Sequence, residues 1–251
     1  MKARAAMRVA VRLLRLTEIV LEAGGDFFLH CVFHGGFPGR SWRARWLHRH
    51  ARRALKILDL VPRLSGPVPT RGLLVSNHLG YLDVVVMAAI TPAIFVSKSE
   101  VKRWPVFGQL AQMAGTLFVD RERRTQVPRI NESIQTALDE GVLVVLFPEG
   151  TSSNGEEVLP FRSALLEPAA RGTCPLFAAC VRYALDDGDV RREVCYWGNH
   201  TFVPHLLNLL AKRKVRAAVQ FAPVTSPPAN RKELARTLRE EVLRLKAANP
   251  P

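Results

Sequence analysis

The stretch LLVSNHLGYLDVVV, residues 73–86, combines the apolar pattern of a buried strand with polar residues that can carry chemistry. The apolar run stops at Ser76, turns through Gly80 and resumes after Asp83. His78 and Asp83 are five positions apart, and on a continuous helix they would be separated by about 500° of rotation. They can meet only if His78 lies in a turn and Asp83 lies in the first turn of the helix that follows.

That geometry would make His78 a general base. Gly80 permits a tight turn, and an acidic side chain is favourable in the first turn of a helix. The Asp83 carboxylate would hold the proton of one ring nitrogen and leave the other nitrogen as an acceptor. No neighbouring Ser or Cys has the context of a nucleophile, which favours direct activation of a substrate hydroxyl over a covalent mechanism. Taken alone, the spacing also fits a polar strand end followed by a helix cap.

Two further strand ends carry polar groups and favour the catalytic interpretation. GTLFVDR, residues 115–121, is a short strand that ends in Asp120 and Arg121, and a guanidinium there can bind a phosphate through two hydrogen bonds. VLVVLFPEGTSS, residues 142–153, is a buried strand that runs into a polar turn. That turn contains Glu149, Gly150 and Thr151. Either stretch alone fits a surface ion pair or a capped turn, but ligands of open α/β sheets gather where strands end.

The order and spacing of these motifs resemble those of the lysophospholipid acyltransferases, most closely the bacterial 1-acyl-sn-glycerol-3-phosphate acyltransferases. The matching residues are Asn77-His78-x-x-x-x-Asp83, Gly115-Thr-Leu-Phe-Val-Asp-Arg121 and Phe147-Pro-Glu-Gly-Thr151. The resemblance spans about residues 66–225. It implies the α/β glycerolipid acyltransferase fold, in which a mixed sheet is flanked by helices, with an N-terminal two-helix membrane element in some members.

The resemblance also implies a reaction. A fatty acyl group would move from acyl-CoA or acyl-acyl carrier protein to the free hydroxyl of a lysophospholipid. The expected acceptor is 1-acyl-sn-glycerol-3-phosphate, which would give phosphatidic acid. Lyso-ornithine lipid is the alternative, because residues 195–210 resemble bacterial members that acylate it. Ala178 stands where the family's Pro-x-x-Pro strand has its second proline, which also leaves the acceptor open.

In this interpretation His78 removes the hydroxyl proton and Asp83 orients His78. Arg121 would hold the acceptor phosphate, and the turn at 149–151 would position the glycerol end. The residues expected to bind substrate are Asn77, Lys98, Arg121, Glu149, Gly150 and Thr151. Neither a metal ion nor an organic cofactor is implied.

The first 66 residues form a basic, amphipathic segment that contains 13 Lys or Arg and 4 Asp or Glu. Charges recur every three or four residues from Arg8 to Glu22, which predicts a helix with a narrow charged stripe and a wide apolar arc. A second basic helix follows, with Trp42 and Trp46 four positions apart. This composition is typical of helices that lie in the lipid headgroup layer. An ordinary helix pair that packs on the domain is the alternative.

A secretory signal peptide needs an uninterrupted apolar region, and arginines at positions 8, 12 and 15 interrupt the apolar run here. No run of about 18 uncharged apolar residues occurs, so we do not expect a spanning helix. We expect peripheral or monotopic attachment to an anionic surface, at the cytoplasmic face of the inner membrane. The four cysteines form no Cys-x-x-Cys pair, which is typical of reduced thiols that serve packing.

Beyond a Pro- and Gly-rich stretch near residue 66, short β-rich runs alternate with helical stretches, which predicts an α/β domain. The predicted strands are 72–76, 93–97, 116–119, 142–147, 175–182, 193–197 and 215–222. The predicted helices are 82–90, 125–140, 161–171 and 202–212. The expected organisation is a membrane-associating helical element at 1–66, an α/β acyltransferase domain at 67–225 and an amphipathic helix at 226–251.

The formal net charge of +14 predicts anionic partners. Three other classes of protein are also consistent with this charge or with the histidines. A nucleic-acid-binding protein is one alternative, but the basic residues of 41–56 lie beside an apolar stripe and no binding signature is present. A metal-dependent hydrolase that adds His200 and His205 to the histidine–aspartate pair is a second, although the spacing fits no zinc pattern. A membrane-binding module without catalysis is the third.

Overall fold

The computed structural model describes residues 2–120, 124–172 and 174–248, and at its centre is a β-sheet with helices on both faces. The strands are β1 (Arg63–Ser65), β2 (Gly72–Ser76), β3 (Ala93–Lys98), β4 (Leu117–Val119), β5 (Leu143–Leu146), β6 (Leu176–Leu185) and β7 (Val215–Pro223). Their order across the sheet is β1-β7-β6-β2-β5-β3-β4. Neighbouring strands are parallel except β6 and β7, which are antiparallel. The predicted α/β class with a mixed sheet is confirmed.

The helices cover both faces of the sheet. They are α1 (Lys2–His34), α2 (Arg40–Ile57), α3 (Tyr81–Ile90), α4 (Phe107–Met113), α5 (Val127–Asp139), α6 (Glu167–Ala170), α7 (Val190–Glu193), α8 (Phe202–Ala211) and α9 (Arg231–Ala248). Side chains of the inner strands alternate between two apolar layers, as expected for parallel strands that are covered on both sides. Leu74 and Val145 pack in the layer that contains α3 and α8, whereas Leu73 and Val144 pack in the layer that contains α5 and α9.

The segment 193–197 is not a strand, contrary to the prediction, and its first residue, Glu193, ends α7. The chain continues after α7 as a loop, in which the Tyr196 amide donates to the carbonyl of Leu79 at 2.8 Å. The backbone of this loop is therefore bonded to the turn after β2 and not to a neighbouring strand. Val194 and Cys195 are nevertheless buried, and this burial explains why the run has the apolar pattern of a strand.

The helix predicted at 161–171 is helical only over Glu167–Ala170. Proline is tolerated only in the first turn of a helix, so Pro168 determines where this helix can begin. Strand β1 and helix α4 were not predicted, and β1 lies in the stretch expected to be a linker. The division of the chain at residues 66 and 225 stays a prediction.

Helices α1 and α2 pack against each other through aromatic side chains. The Trp46 indole donates to the carbonyl of Ala23 at 3.1 Å, and the rings of Phe27 and Trp46 meet edge to face with centroids 5.7 Å apart. Trp46 is only 1% exposed. The Trp46 side chain therefore forms the core between the two helices and is not an interfacial tryptophan, whereas Trp42 is half-buried. The membrane-associating role of the helix pair stays a prediction.

Helix α1 turns part of its charged stripe inward and much of its apolar surface outward. The buried Arg12 guanidinium donates to the carbonyl oxygens of Leu210 at 2.9 Å and Lys212 at 2.6 Å, at the carboxyl end of α8. The exposed apolar side chains of α1 include Met7, Leu14, Leu21, Phe28, Leu29, Val32 and Phe33. No helix within the described ranges is long and apolar enough to cross a membrane.

We expect Arg12→Met to lower the free energy of unfolding by about 3–6 kcal/mol, because two hydrogen bonds from a charged group are lost and each contributes about 1.5–3 kcal/mol. Methionine keeps the length of the side chain but has no donor. The matched control is Arg15→Met, which removes an exposed arginine from the next turn of α1. Urea unfolding in detergent measures both variants, and equal stabilities would show that Arg12 does not hold α1 to α8.

Candidate active site

Parallel strands end side by side at the candidate site. Strands β2, β5 and β3 are consecutive neighbours, so their carboxyl ends lie on one edge, where open α/β sheets usually bind ligands. Strand β6 is also parallel to β2, with Ala179 opposite Ser76, and it continues to Leu185. This overhang brings the end of β6 beside the turn that follows β2.

The turn after β2 brings His78 and Asp83 together. Nδ1 of His78 lies 2.8 Å from Oδ2 of Asp83. Asp83 lies in the first turn of α3, and Gly80 precedes that helix with a φ of +152°. A Cβ atom at position 80 would lie 2.9 Å from the backbone nitrogen of Tyr196. Both the backbone conformation and the close approach of Tyr196 therefore require glycine here.

Four hydrogen bonds converge on the carboxylate of Asp83, which is fully buried. Besides the imidazole, Oδ2 accepts from the amides of Leu79 at 2.6 Å and Gly80 at 3.0 Å. Oδ1 accepts from the Tyr183 hydroxyl at 2.7 Å. Complete burial, together with the charge of Asp83, raises the pKa of Tyr183, so the phenol remains a donor. These donors compensate the loss of hydration that burial imposes on a carboxylate.

Asn77 holds the overhang of β6 in register. Its side-chain amide donates to the carbonyl of Val181 at 3.0 Å, and its Oδ1 accepts from the Val181 amide at 2.8 Å. The polar atoms of Asn77, predicted to bind substrate, are thus bonded within the sheet. Tyr183 follows Val181 by two positions on β6, so both side chains lie on the same face of the sheet, and the Tyr183 hydroxyl donates to Asp83. The sequence analysis missed Tyr183, because only the β2–β6 register reveals this contact.

The His78 ring can act as a proton acceptor through Nε2. The ring stacks on Phe147 with centroids 4.3 Å apart and planes at 19°, and 21% of the side chain remains exposed. Because the carboxylate of Asp83 only accepts hydrogen bonds, Nδ1 carries the proton in the neutral imidazole. Nε2 makes no hydrogen bond with the part of the chain that the structure describes. The pair can therefore remove a proton from a bound hydroxyl group.

The turn after β5 is fastened to the turn after β2. The His78 amide donates to Oε1 of Glu149 at 3.1 Å, and the Ser153 amide donates to the carbonyl of His78 at 2.9 Å. Gly150 has a φ of +77°, a conformation that favours glycine. Burial raises the pKa of Glu149 to about 8. Near pH 7 this side chain is therefore mostly a neutral carboxylic acid beneath the backbone of the turn after β2.

Three other residues were predicted to bind substrate, and the structure places two of them. Thr151 is exposed, directly after the glycine of the β5 turn. Lys98 ends β3 opposite Val119 of β4, at the same edge of the sheet. Arg121 lies outside the described residues. Of the predicted site residues, His78 is hydrogen-bonded directly to the Asp83 carboxylate through its ring and to the Glu149 carboxyl group through its backbone amide.

The four side chains of the metal-hydrolase alternative form two separate pairs. His200 and His205 stack with centroids 5.4 Å apart, and the ring of His205 is hydrogen-bonded to Tyr81 and to the carbonyl of Cys195. Over residues 2–120, 124–172 and 174–248, no group of three or more His, Cys, Asp or Glu could hold a metal ion.

Comparisons with known proteins agree on one family. A family model described as acyltransferase matches residues 58–182. The chain is 34% identical over 219 residues to the lyso-ornithine lipid O-acyltransferase of Rhizobium meliloti (strain 1021), covering 80% of this chain and 75% of that protein. It is 33% identical over 198 residues to the 1-acyl-sn-glycerol-3-phosphate acyltransferase of Neisseria gonorrhoeae, covering 74% and 76% respectively.

A solved structure has the same fold. The crystal structure of the 1-acyl-sn-glycerophosphate acyltransferase from Thermotoga maritima aligns with a TM-score of 0.65, over 98% of this chain and 100% of that chain. The sequences are 17% identical in this alignment, so the likeness is one of fold. The predicted glycerolipid acyltransferase fold is confirmed.

We expect Glu149→Gln to remove a pH dependence of stability. The unfolded chain loses this proton near pH 4.5, whereas the folded protein keeps it to about pH 8. The folded state therefore binds more protons between these values, and the free energy of unfolding falls as the pH rises, by at most about 1.4 kcal/mol per unit. Glutamine imitates the protonated form and does not titrate.

Urea unfolding at pH 5 and pH 8 measures this effect. Relative to the wild type, Glu149→Gln should be more stable at pH 8 than at pH 5 by about 2–4 kcal/mol. The control is Glu157→Gln, which changes an exposed carboxylate in the same loop. A stability difference that stays constant with pH would contradict a raised pKa of Glu149.

Proposed function

The chain belongs to the acyltransferase family, and we propose that it transfers a fatty acyl group from a thioester to the free hydroxyl of a lysophospholipid. The observation that carries the proposal is the 2.8 Å hydrogen bond between His78 and Asp83, because it leaves Nε2 as a proton acceptor. Both relatives are named as acyltransferases of a lysolipid, and the relative from Neisseria gonorrhoeae is named for a lysophospholipid.

In the proposed reaction Nε2 of His78 takes the proton of the acceptor hydroxyl while the hydroxyl oxygen attacks the thioester carbonyl. The Asp83 carboxylate holds the proton on Nδ1 and stabilises the imidazolium that forms. The bond between the acyl carbon and sulfur then breaks, and the thiolate takes the proton from His78. General-base catalysis of this kind typically contributes about 10²–10⁴-fold. The proposed step uses no metal ion or organic cofactor.

We propose that positive charge at the sheet edge binds the acceptor phosphate. The Arg121 guanidinium would bind two phosphate oxygens, which suits its planar arrangement of donors. Lys98 would add a second charge, and its position at the end of β3 supports this role. The first candidate acceptor is 1-acyl-sn-glycerol-3-phosphate. Lyso-ornithine lipid is the second, because the relatives named for the two acceptors are about equally identical to this chain.

We propose that the turn after β5 positions the glycerol end of the acceptor. Gly150 lets the backbone approach the ligand closely, and the exposed Thr151 supplies a hydroxyl group. Glu149 supports this turn through the bond from the His78 amide. Asn77 contributes through its bonds to β6, which set the distance between the sheet and the catalytic turn.

The donor in this proposal is acyl-CoA or acyl-acyl carrier protein. Both are anionic thioesters, and a protein with a formal net charge of +14 attracts them over long range. The same charge attracts nucleic acid, but the exposed apolar side of α1 favours a lipid surface as the partner.

We propose that the enzyme works as a peripheral or monotopic protein at the cytoplasmic face of the inner membrane. The exposed apolar side of α1 would insert into the boundary between headgroups and acyl chains. Helix α2 adds cations that line an open cleft of about 580 Å³, among them Arg45, Arg49, Arg52, Arg53 and Lys56. An unpaired Lys or Arg near an anionic leaflet contributes about 1 kcal/mol of binding. Arg49 and Arg53 are paired with carboxylates of α1, so they contribute less.

We expect His78→Ala to lower kcat by about 10²–10⁴-fold, because the variant lacks the general base. Release of thiol from acyl-CoA in the presence of 1-acyl-sn-glycerol-3-phosphate measures turnover. His34→Ala, a change at the exposed end of α1, is the control and should keep normal turnover. Normal turnover in a folded His78→Ala protein would exclude this mechanism.

A panel of lysolipids with phosphate, phosphodiester and amino-acid headgroups, tested with both thioester donors, identifies the acceptor. If the phosphate is bound by Arg121, Arg121→Ala should raise the KM of the phosphate acceptor with little change in kcat, which is the pattern of a lost binding contact. Arg123→Ala is the matched control. A change confined to the KM of the donor would show that Arg121 has a different role.

A further inference from the structure

The loop between α7 and α8 crosses the turn after β2, residues 77–80, which carries His78 and is called the catalytic turn below. The Tyr196 amide donates to the carbonyl of Leu79, the residue after His78, at 2.8 Å. The carbonyl of Tyr196 accepts a hydrogen bond from the hydroxyl of Ser152, in the turn that contains Glu149. The backbone of one loop residue thus joins the two turns that form the site.

His205, in the first turn of α8, holds this loop. Its Nε2 lies 3.1 Å from the carbonyl oxygen of Cys195, and its Nδ1 lies 2.9 Å from the hydroxyl of Tyr81. Because a carbonyl only accepts hydrogen bonds, Nε2 carries the proton and Nδ1 accepts from Tyr81. The bonds therefore connect the first residue of α3, through His205, to the residue that precedes Tyr196.

The link between Tyr81 and His205 is enclosed by other rings. The ring of Tyr81 lies 5.4 Å from that of Tyr196 and 5.1 Å from that of Phe202, measured between centroids. Burial lowers the pKa of His205 and raises the pKa of Tyr81. Both side chains are thus neutral near pH 7 and keep the donor and acceptor roles described above.

We propose that Tyr81 and His205 are positioning residues, whose hydrogen bonds fix the His78 ring relative to the turn that contains Glu149. The inference rests on the proposed function, because it concerns the same base. Both nitrogens of His205 bind groups next to the turn that carries His78, so this side chain joins the start of α3 to the loop that contains Tyr196. A displacement of about 1 Å at a catalytic group can cost about a hundredfold in rate.

Substitutions at His205 separate hydrogen bonding from packing. His205→Phe keeps a ring and removes both bonds. His205→Gln keeps both bonds, because its amide oxygen can accept from Tyr81 and its amide nitrogen can donate to the carbonyl of Cys195. The matched control is His200→Phe: His200 stacks on His205, and its Nδ1 has no hydrogen-bond partner in the described ranges of the chain.

We expect kcat to fall at least about tenfold in His205→Phe, with the acceptor KM changed less than about twofold. His205→Gln and His200→Phe should stay within about twofold of the wild-type kcat. Hydrogen–deuterium exchange gives a readout that does not need turnover. The amides of Leu79, Gly80 and Tyr196 should exchange faster in His205→Phe than in the other two variants.

Tyr81→Phe should cause a similar loss of kcat, and the double variant with His205→Phe should lose no more than either single variant, because both remove the same link. Wild-type kcat and exchange in His205→Phe, or a loss that His205→Gln does not restore, would overturn the proposal. If the wild type acylates no lysolipid of the panel, the proposed function fails, and the exchange pattern alone decides whether His205 holds the turn.

Discussion

The burial of the Asp83 carboxylate imposes requirements on much of the surrounding structure. A carboxylate without water costs several kcal/mol unless donors replace the lost hydration. Here the donors are the imidazole of His78, the amides of Leu79 and Gly80, and the hydroxyl of Tyr183. The two amides can reach the carboxylate only from a tight turn. The imidazole can reach it only if α3 begins directly after that turn, and the phenol only if β6 extends past the end of β2. One buried charge thus connects the turn, the helix and the sheet.

The sequence predicted the local part of this arrangement. His78 and Asp83 can meet only across a turn that leads into a helix, and Gly80 together with the apolar runs on either side indicates both. The shared edge follows from parallel neighbours, because their carboxyl ends lie on the same side of a sheet. Periodicity also predicted the first helix, but it does not determine which side packs inward. Arg12 is buried because carbonyl groups at the end of α8 accept its hydrogen bonds, and these groups are distant in sequence.

Contacts between distant residues could not be predicted in this way. Tyr183 is 100 positions from Asp83, and Tyr81 is 124 positions from His205. Each contact depends on strand register or on the packing of a helix, which no local pattern encodes. The run 193–197 shows the same limit, since its apolar side chains indicate burial but not the partner of its backbone. That partner is the turn after β2, so the loop belongs to the site and not to the sheet.

The face-to-face contact between His78 and Phe147 would change in nature if the imidazole took up a proton, as the proposed mechanism requires. A neutral imidazole 4.3 Å from a phenyl ring is attracted mainly by dispersion. An imidazolium in the same place presents a cation to the π electrons of the phenyl face, and such cation–π contacts contribute about 0.5–2 kcal/mol. The phenylalanine that opens the Phe-Pro-Glu-Gly-Thr motif would thereby contact the imidazolium of the proposed reaction through its π face, in addition to packing against the neutral ring.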